Sequence, residues 1–214
     1  MKPLRDCRLY TFVDTAYLHG RKPEVVARQL CDGGSDLIQL RAKNSSADEI
    51  RRLAEAILPV CDEAGVGLVI NDHPRIAFAV GAAAAHLGQE DFFDAGFTSV
   101  AQVAGCPPEL KIGLSTHAPE QAERALRAGP DYIAIGPVYP THTKPMARAV
   151  TLDYVNWAAA SVAIPWFAIG GITPQNLDAV LAAGARRVCV VSAILNAPDI
   201  AEACLVFKER LETA

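Results

Sequence analysis

The sequence has no C-x-x-C pair: its six cysteines, Cys7, Cys31, Cys61, Cys106, Cys189 and Cys204, are scattered. That spacing argues against a zinc site or a redox dithiol and predicts reduced thiols packed as small hydrophobes. No apolar run reaches the length of a membrane span. There is no low-complexity tract and no linker. Nor does any basic stretch dominate. Lys and Arg number 20 against 24 Asp and Glu, a formal charge of −4, which gives nucleic-acid binding no support. A local cluster of cations can still oppose a mildly acidic whole, so anionic substrates stay open. Residues 1–6 are followed by no apolar signal segment, and a cytoplasmic location is expected. The pattern does not fix an oligomeric state, and a homo-oligomer stays open.

What is present is enough for one domain, residues 1–214, with a full core, since 51% of the residues are hydrophobic. Short apolar runs at 9–13, 37–40, 68–71, 85–87, 111–114, 132–135, 166–169 and 187–191 read as strands, mostly bounded by Gly, Asp or Pro. Helical spacing fills the intervals. It is clearest over 48–64, where Ile50, Leu53, Ala54, Ile57, Leu58 and Cys61 share a face. Ser46 and Glu49 have the spacing of a capping box ahead of it. Residues 119–128, 174–183 and 199–211 repeat the theme, with Pro119 and Pro174 in first turns and Gly129 and Gly184 at C-caps. The fourth unit is the weakest, its helix expected near 98–103, ahead of Pro107-Pro108. Eight strand–helix units predict an α/β fold, a closed (β/α)₈ barrel; an open doubly wound sheet is the rival.

In such a barrel the chemistry gathers at the C-terminal ends of the strands. The second run ends in Gln39-Leu40-Arg41-Ala42-Lys43. Alternation puts Gln39, Arg41 and Lys43 on one side, an amide and two cations that suit a polyanion such as a diphosphate. The alternative is a solvated strand end. The third run ends in Asn71-Asp72 and the fourth in Gly88-Gln89-Glu90-Asp91. Asp72 and Asp91 on adjacent strand ends suit one shared magnesium ion; alternatively each caps the following helix. Ser115 and His117 follow the fifth run, Ser115 as a donor to phosphate and His117 as an acid, a base or a structural residue. After the sixth run, residues 136–145 are rich in turn formers and carry Thr141, Thr143 and Lys144, read as anion contacts on a lid or as a polar surface loop. Gly170-Gly171 and Val191-Ser192 end the last two runs. The glycines permit close backbone approach to a ligand, and amides at these two ends suit a phosphate monoester.

Taken in order, Gln39-x-Arg41-x-Lys43, Asn71-Asp72, residues 86–91, residues 113–117, residues 136–144, Gly170-Gly171-Ile172 and residues 191–194 resemble the thiamine phosphate synthase family over nearly the whole chain. The resemblance implies a transferase that joins 4-amino-5-hydroxymethyl-2-methylpyrimidine diphosphate to a thiazole phosphate with loss of diphosphate. It implies that residues 39–43 (Gln39, Leu40, Arg41, Ala42 and Lys43), Asn71, Ser115 and Lys144 hold the pyrimidine diphosphate, with Arg41, Lys43, Ser115 and Lys144 acting in catalysis. It further implies that Thr141, His142, Thr143, Gly171, Val191 and Ser192 hold the thiazole phosphate, and that Asp72 and Asp91 bind Mg²⁺. Its partners would be these small molecules alone, with no nucleic acid and no membrane.

Two other readings compete. One is a thiazole tautomerase of the related regulator-like family, which relies on a histidine placed like His117. That branch loses parts of the diphosphate and magnesium set, all of which is present here. The other is a phosphate-binding sensor without catalysis, where clustered charges left unused would destabilise the fold for no gain.

Overall fold

The computed structural model describes residues 1–103, 110–140 and 150–213. Within them eight parallel strands close into a barrel in sequence order. They are β1 (Leu9–Asp14), β2 (Leu37–Arg41), β3 (Gly67–Asn71), β4 (Ala84–Gly88), β5 (Lys111–Thr116), β6 (Tyr132–Ile135), β7 (Trp166–Ile169) and β8 (Val188–Cys189). The closure between β8 and β1 pairs Leu9 with Val188 and Tyr10 with Cys189, so no sheet edge is left open. The open doubly wound alternative is thereby excluded.

The outer layer follows from apolar stripes facing the strands. It comprises α1 (Pro23–Asp32), α2 (Ala47–Ala64), α3 (Pro74–Val80), α4 (Gln89–Asp94), α5 (Pro119–Arg127), α6 (Thr151–Ser161), α7 (Leu177–Ala182), α8 (Ser192–Leu195) and α9 (Ile200–Glu212). On α2 the buried side chains are Ile50, Ala54, Ile57 and Cys61, four of the six on the expected face. Ser46 caps it, its hydroxyl accepting from the Glu49 amide at 3.3 Å. Gly65, at φ 69°, ends it in the left-handed conformation that glycine adopts without steric cost.

Three boundaries differ from the sequence expectation. The fourth helix is α4, which begins directly where β4 ends; residues 98–103 form only a single 3₁₀ turn at Val100–Gln102. A six-residue helix is too short for its periodicity to stand out. Pro174 lies in a turn before α7 rather than in its first helical turn. There the Asn176 side chain accepts from the Thr173 amide (2.8 Å) and donates to the Gly171 carbonyl (2.9 Å). The last strand shrinks to Val188–Cys189, because only those residues pair with both β7 and β1.

The barrel interior is filled by rings. Tyr10 meets Phe12 in a stack at 5.5 Å and Phe167 edge-on at 5.4 Å, and Tyr132 meets Phe167 edge-on at 5.6 Å. Gly113 makes room for them, since a β-carbon there would lie 2.1 Å from Cζ of Tyr132. Away from the site, buried Asp36 accepts from the ammonium groups of Lys2 and Lys208 and from the amides of Arg8 and Leu9, tying the N-terminal segment to α9. Burial alone would raise the Asp36 pKa, but these donors outweigh it and hold the carboxyl below its usual range. The five described cysteines are free, as expected; Cys106 lies outside the described residues. No helix among the described residues is long and apolar enough to cross a membrane.

Candidate active site

One open cavity covers the C-terminal ends of the strands. It brings together Gln39, Arg41, Lys43, Asn71, Asp72, Asp91, Ser115, Gly171, Val191 and Ser192, all expected from sequence. Leu40 and Ala42 do not join them. Alternation along β2 turns those two outward, where with Ile50 and His73 they border a small separate hollow. Only their backbone is left to meet a ligand in the main cavity. Thr141, His142, Thr143 and Lys144 lie outside the described residues.

Arg41 reaches the cavity from the last position of β2, and its register partner on β1 is Asp14. The Arg41 guanidinium donates through Nη1 to Asp14 Oδ2 at 2.7 Å, and Asp14 Oδ1 accepts from the Ala16 amide at 3.0 Å. Asp14 is 1% exposed. Both of its oxygens are therefore committed, and the guanidinium is held with its other N–H groups to spare. Asp14 carried no signal in the sequence reading, because an Asp at a strand end also reads as a turn former.

The two expected metal-binding carboxylates share the cavity. Asp72 has φ 61° and accepts from the side chain of its neighbour Asn71 at 2.6 Å. It does not cap α3: the N-cap position belongs to His73, and no side-chain capping bond forms there. Asp91 lies in the first turn of α4, a position the helix dipole favours for an anion. Its carboxylate folds back over Gly88, where a β-carbon would sit 2.8 Å from Asp91 Oδ2. Neither carboxylate is in an ion pair among the described residues. Two such oxygens suit a hard cation that completes its shell with water and phosphate. No group of three or more His, Cys, Asp or Glu residues among the described ones is placed to make a full metal cage.

At the fifth strand end, His117 Nδ1 lies 2.5 Å from the Gly136 carbonyl oxygen, and its backbone amide donates to Gln121 Oε1 at 2.8 Å. A carbonyl oxygen only accepts, so Nδ1 carries the proton. The side chains of Ser115 and Lys43 line the cavity and make no hydrogen bond or ion pair among the described residues. Cys189 also lines it, but complete burial pushes its thiol well up, which makes it a poor nucleophile.

Gly170 and Gly171 have a second role that the sequence did not disclose. Both have positive φ, 106° and 63°. A β-carbon at Gly170 would meet Pro137 at 2.4 Å, and one at Gly171 would meet the Pro140 carbonyl oxygen and Tyr139 Cβ at 2.7 Å. These glycines let the turn after β7 pack against the segment leaving β6, whatever ligand the amides also serve.

The cavity floor holds a buried polar chain that the sequence reading missed. Gln39 Nε2 lies 2.5 Å from the Tyr10 hydroxyl, which lies 3.1 Å from the Tyr132 hydroxyl, which lies 3.1 Å from His86 Nδ1. The four groups come from β2, β1, β6 and β4, so no local pattern announces the contact.

Comparison with known proteins agrees with this geometry. The family described as thiamine monophosphate synthase matches residues 9–194. The thiamine-phosphate synthase of Thermus thermophilus is 46% identical over 186 residues, 84% of each chain. That of Acidothermus cellulolyticus is 44% identical over 213 residues, covering 99% of this chain and 98% of its own. Among solved structures, thiamine phosphate pyrophosphorylase from Pyrococcus furiosus superposes with a TM-score of 0.83 at 27% identity, covering 99% and 98% of the two chains. The chain belongs to the thiamine monophosphate synthase family.

Proposed function

We propose that this cavity carries out thiamine phosphate synthesis, joining 4-amino-5-hydroxymethyl-2-methylpyrimidine diphosphate to a thiazole phosphate with release of diphosphate, by a magnesium-assisted dissociative substitution. The observation that carries the mechanism is the coexistence, in one cavity, of Lys43, Asp72 and Asp91 with no ion pair between them. Groups placed for stability alone would pair with each other. A ligand that brings both an anion and a cation, such as a metal diphosphate, complements both signs at once.

Asp72 and Asp91 would hold the magnesium ion, which when bound supplies positive charge to the departing diphosphate. Arg41, fixed by Asp14, and Lys43 face the charge that grows on the leaving group; Ser115 donates to it. Lys144 carries the same expectation from sequence. The aminopyrimidine can bear the cation formed when the C–O bond breaks, and the thiazole nitrogen supplies the electron pair of the new bond. No residue here needs to act as nucleophile, in keeping with the neutral Cys189 thiol. The turn at Gly171 and the Val191-Ser192 backbone are assigned to the thiazole phosphate, as in other phosphate-binding barrels. An acidic chain with free thiols suits a reducing compartment, and the cytoplasm is the location assigned to it.

Diphosphate release from the two substrates, followed against magnesium concentration, tests this reading. Asp91→Asn should raise the magnesium requirement and lower turnover by about 10²- to 10³-fold, the effect of removing one electrostatic stabiliser. Full activity of Asp91→Asn at limiting magnesium would reject the metal assignment.

A further inference from the structure

The backbone assigned to the thiazole phosphate is held from behind. The Val191 carbonyl accepts from the amides of Ile194 (3.1 Å) and Leu195 (2.9 Å), and the Ser192 carbonyl accepts from the Asn196 amide (3.1 Å). These peptides are trans, so each C=O points opposite to the N–H of its own peptide unit. With both carbonyls turned towards the end of α8, the Ser192 and Ala193 amides face the other way, on the side of the cavity that Val191 and Ser192 line. Neither amide has a hydrogen-bond partner among the described residues. Their aim is therefore set by how the turn from Val191 to Asn196 is seated. At its far end the Leu195 carbonyl accepts from Arg21 Nη2 at 2.8 Å, its one hydrogen-bond partner among the described residues. Arg21 stands on the loop between β1 and α1, and that loop clamps it in turn. Its Nε donates to the Leu18 carbonyl at 2.9 Å, and its Nη2 also donates to the Tyr17 carbonyl at 2.6 Å. Every donor here is a guanidinium N–H and every acceptor a backbone carbonyl, so each bond can run only one way.

We propose that Arg21 is a positioning residue for the monophosphate side of the site: by holding the Leu195 carbonyl it seats the turn that aims the Ser192 and Ala193 amides at an anion. Arg21 is not among the residues that line the cavity, so it acts through Leu195 and not on the ligand. It is in no ion pair among the described residues, which leaves the carbonyls as the partners that hold it. A guanidinium suits this task because Nη2 carries two N–H groups, one for its own loop and one for the turn, while Nε fixes the plane of the fork. The same loop starts at Asp14, which holds Arg41 at 2.7 Å and is itself tied to the Ala16 amide at 3.0 Å. One end of residues 14–21 thus fixes a cation on the diphosphate side, and the other end fixes a backbone turn on the monophosphate side. That arrangement sets the two anion sites in one frame, as a reaction between two bound phosphorylated substrates requires. The identity of the anion as a thiazole phosphate rests on the proposed function; the link from Arg21 to the two amides does not.

Arg21→Met tests this, since it keeps an apolar stem of similar length and removes all three donors. The ¹⁵N-labelled full-length chain is titrated with inorganic phosphate, and the backbone amide signals of Ser192 and Ala193 are followed. Both should shift in the wild type, and in Arg21→Met the phosphate concentration needed should rise about 3- to 10-fold, as loss of one ordinary hydrogen bond implies. In steady-state kinetics KM for the thiazole phosphate should rise by the same factor, with KM for the pyrimidine diphosphate unchanged because Asp14 still holds Arg41. Wild-type amides that ignore phosphate, or equal phosphate affinity in the variant, would overturn the positioning role. So would a parallel rise in both KM values, which is what general loosening of the fold produces. Should Arg21→Met not fold, Arg21→Gln, which can keep one carbonyl contact, is judged by the same criteria. The expected amide response, weakened in the variant, in a wild type that releases no diphosphate would instead overturn the proposed function and leave the link from Arg21 standing.

Discussion

Asp14→Asn separates two ways in which Arg41 can serve the site, by charge or by orientation. In the native chain both oxygens of Asp14 accept, one from Arg41 Nη1 at 2.7 Å and one from the Ala16 amide at 3.0 Å. Asparagine has the same shape but a single acceptor oxygen, so one of these donors must face an NH₂ group. The Ala16 amide is fixed by the backbone; the guanidinium can move, and it is the one expected to leave. The stability cost is the difference between a charge-assisted and a neutral hydrogen bond, about 1–2 kcal/mol. For a chain of this size that corresponds to a fall in Tm of about 2–8 °C. The effect on activity has two opposed parts. Removing a carboxylate makes the cavity more positive, which by itself favours diphosphate binding. Releasing the guanidinium loses its placement, and a misplacement on the order of 1 Å costs about 10²-fold in rate. Placement should win in the chemical step. Single-turnover measurements should therefore show a rate about 10- to 100-fold lower, with KM for pyrimidine diphosphate unchanged or reduced. A folded Asp14→Asn chain with a native or faster single-turnover rate would refute the idea that Asp14 acts by orienting Arg41.

Gly113→Ala should destabilise the barrel by about 1–3 kcal/mol, because the added carbon overlaps the Tyr132 ring; thermal melting checks it, and a Tm equal to wild type would show that the ring has room to shift. Lys144→Ala should slow the chemical step by about 10²- to 10³-fold, whereas His117→Ala should change it much less, since bond formation needs no general base. The reverse order in single-turnover rates would favour the tautomerase reading.

The barrel was legible because each strand run is apolar, short and bounded by breakers, and because the count of eight leaves few ways to close. Boundaries failed where local pattern and tertiary pairing part company. Val190 and Val191 read as strand, yet neither belongs to β8, which pairs only through Val188 and Cys189. Pro174 reads as a helix start, yet Asn176 holds a turn there first. The rim of the site was legible for a related reason: residues two apart on a strand share a face, so Gln39, Arg41 and Lys43 arrive together. The same rule excludes the side chains of Leu40 and Ala42 from the cavity, although the family resemblance gathered them with their neighbours. The supporting residues were not legible. Asp14 lies 27 positions from Arg41, and Tyr10 lies 122 positions from Tyr132. Only the barrel closure makes them neighbours, and a lone Tyr in an apolar run reads as core, which both tyrosines also are.

The polar residues of the cavity divide into two groups by what already holds them. Gln39, Arg41, His86 and His117 are each tied to a buried or backbone partner: Tyr10, Asp14, Tyr132 and the Gly136 carbonyl. Those contacts hold the side chains in place before a ligand arrives, so they can discriminate between ligands without reorganising. The side chains of Lys43, Asp91 and Ser115 have no hydrogen-bond or ion-pair partner among the described residues. Side chains of that kind cost the folded state little when solvated at the cavity mouth, and they stay available to charge that a ligand brings or develops. A dissociative substitution needs both. The ring must be held in one orientation while it loses its leaving group, which calls for fixed partners deep in the barrel. The diphosphate must be met while its charge grows and then released, which calls for groups near the mouth with no competing partner to return to. The division between a wired floor and an unpaired rim is therefore what a bond-breaking transferase requires. A sensor would need only the floor's selectivity, and the unpaired charges at its rim would have no work to do.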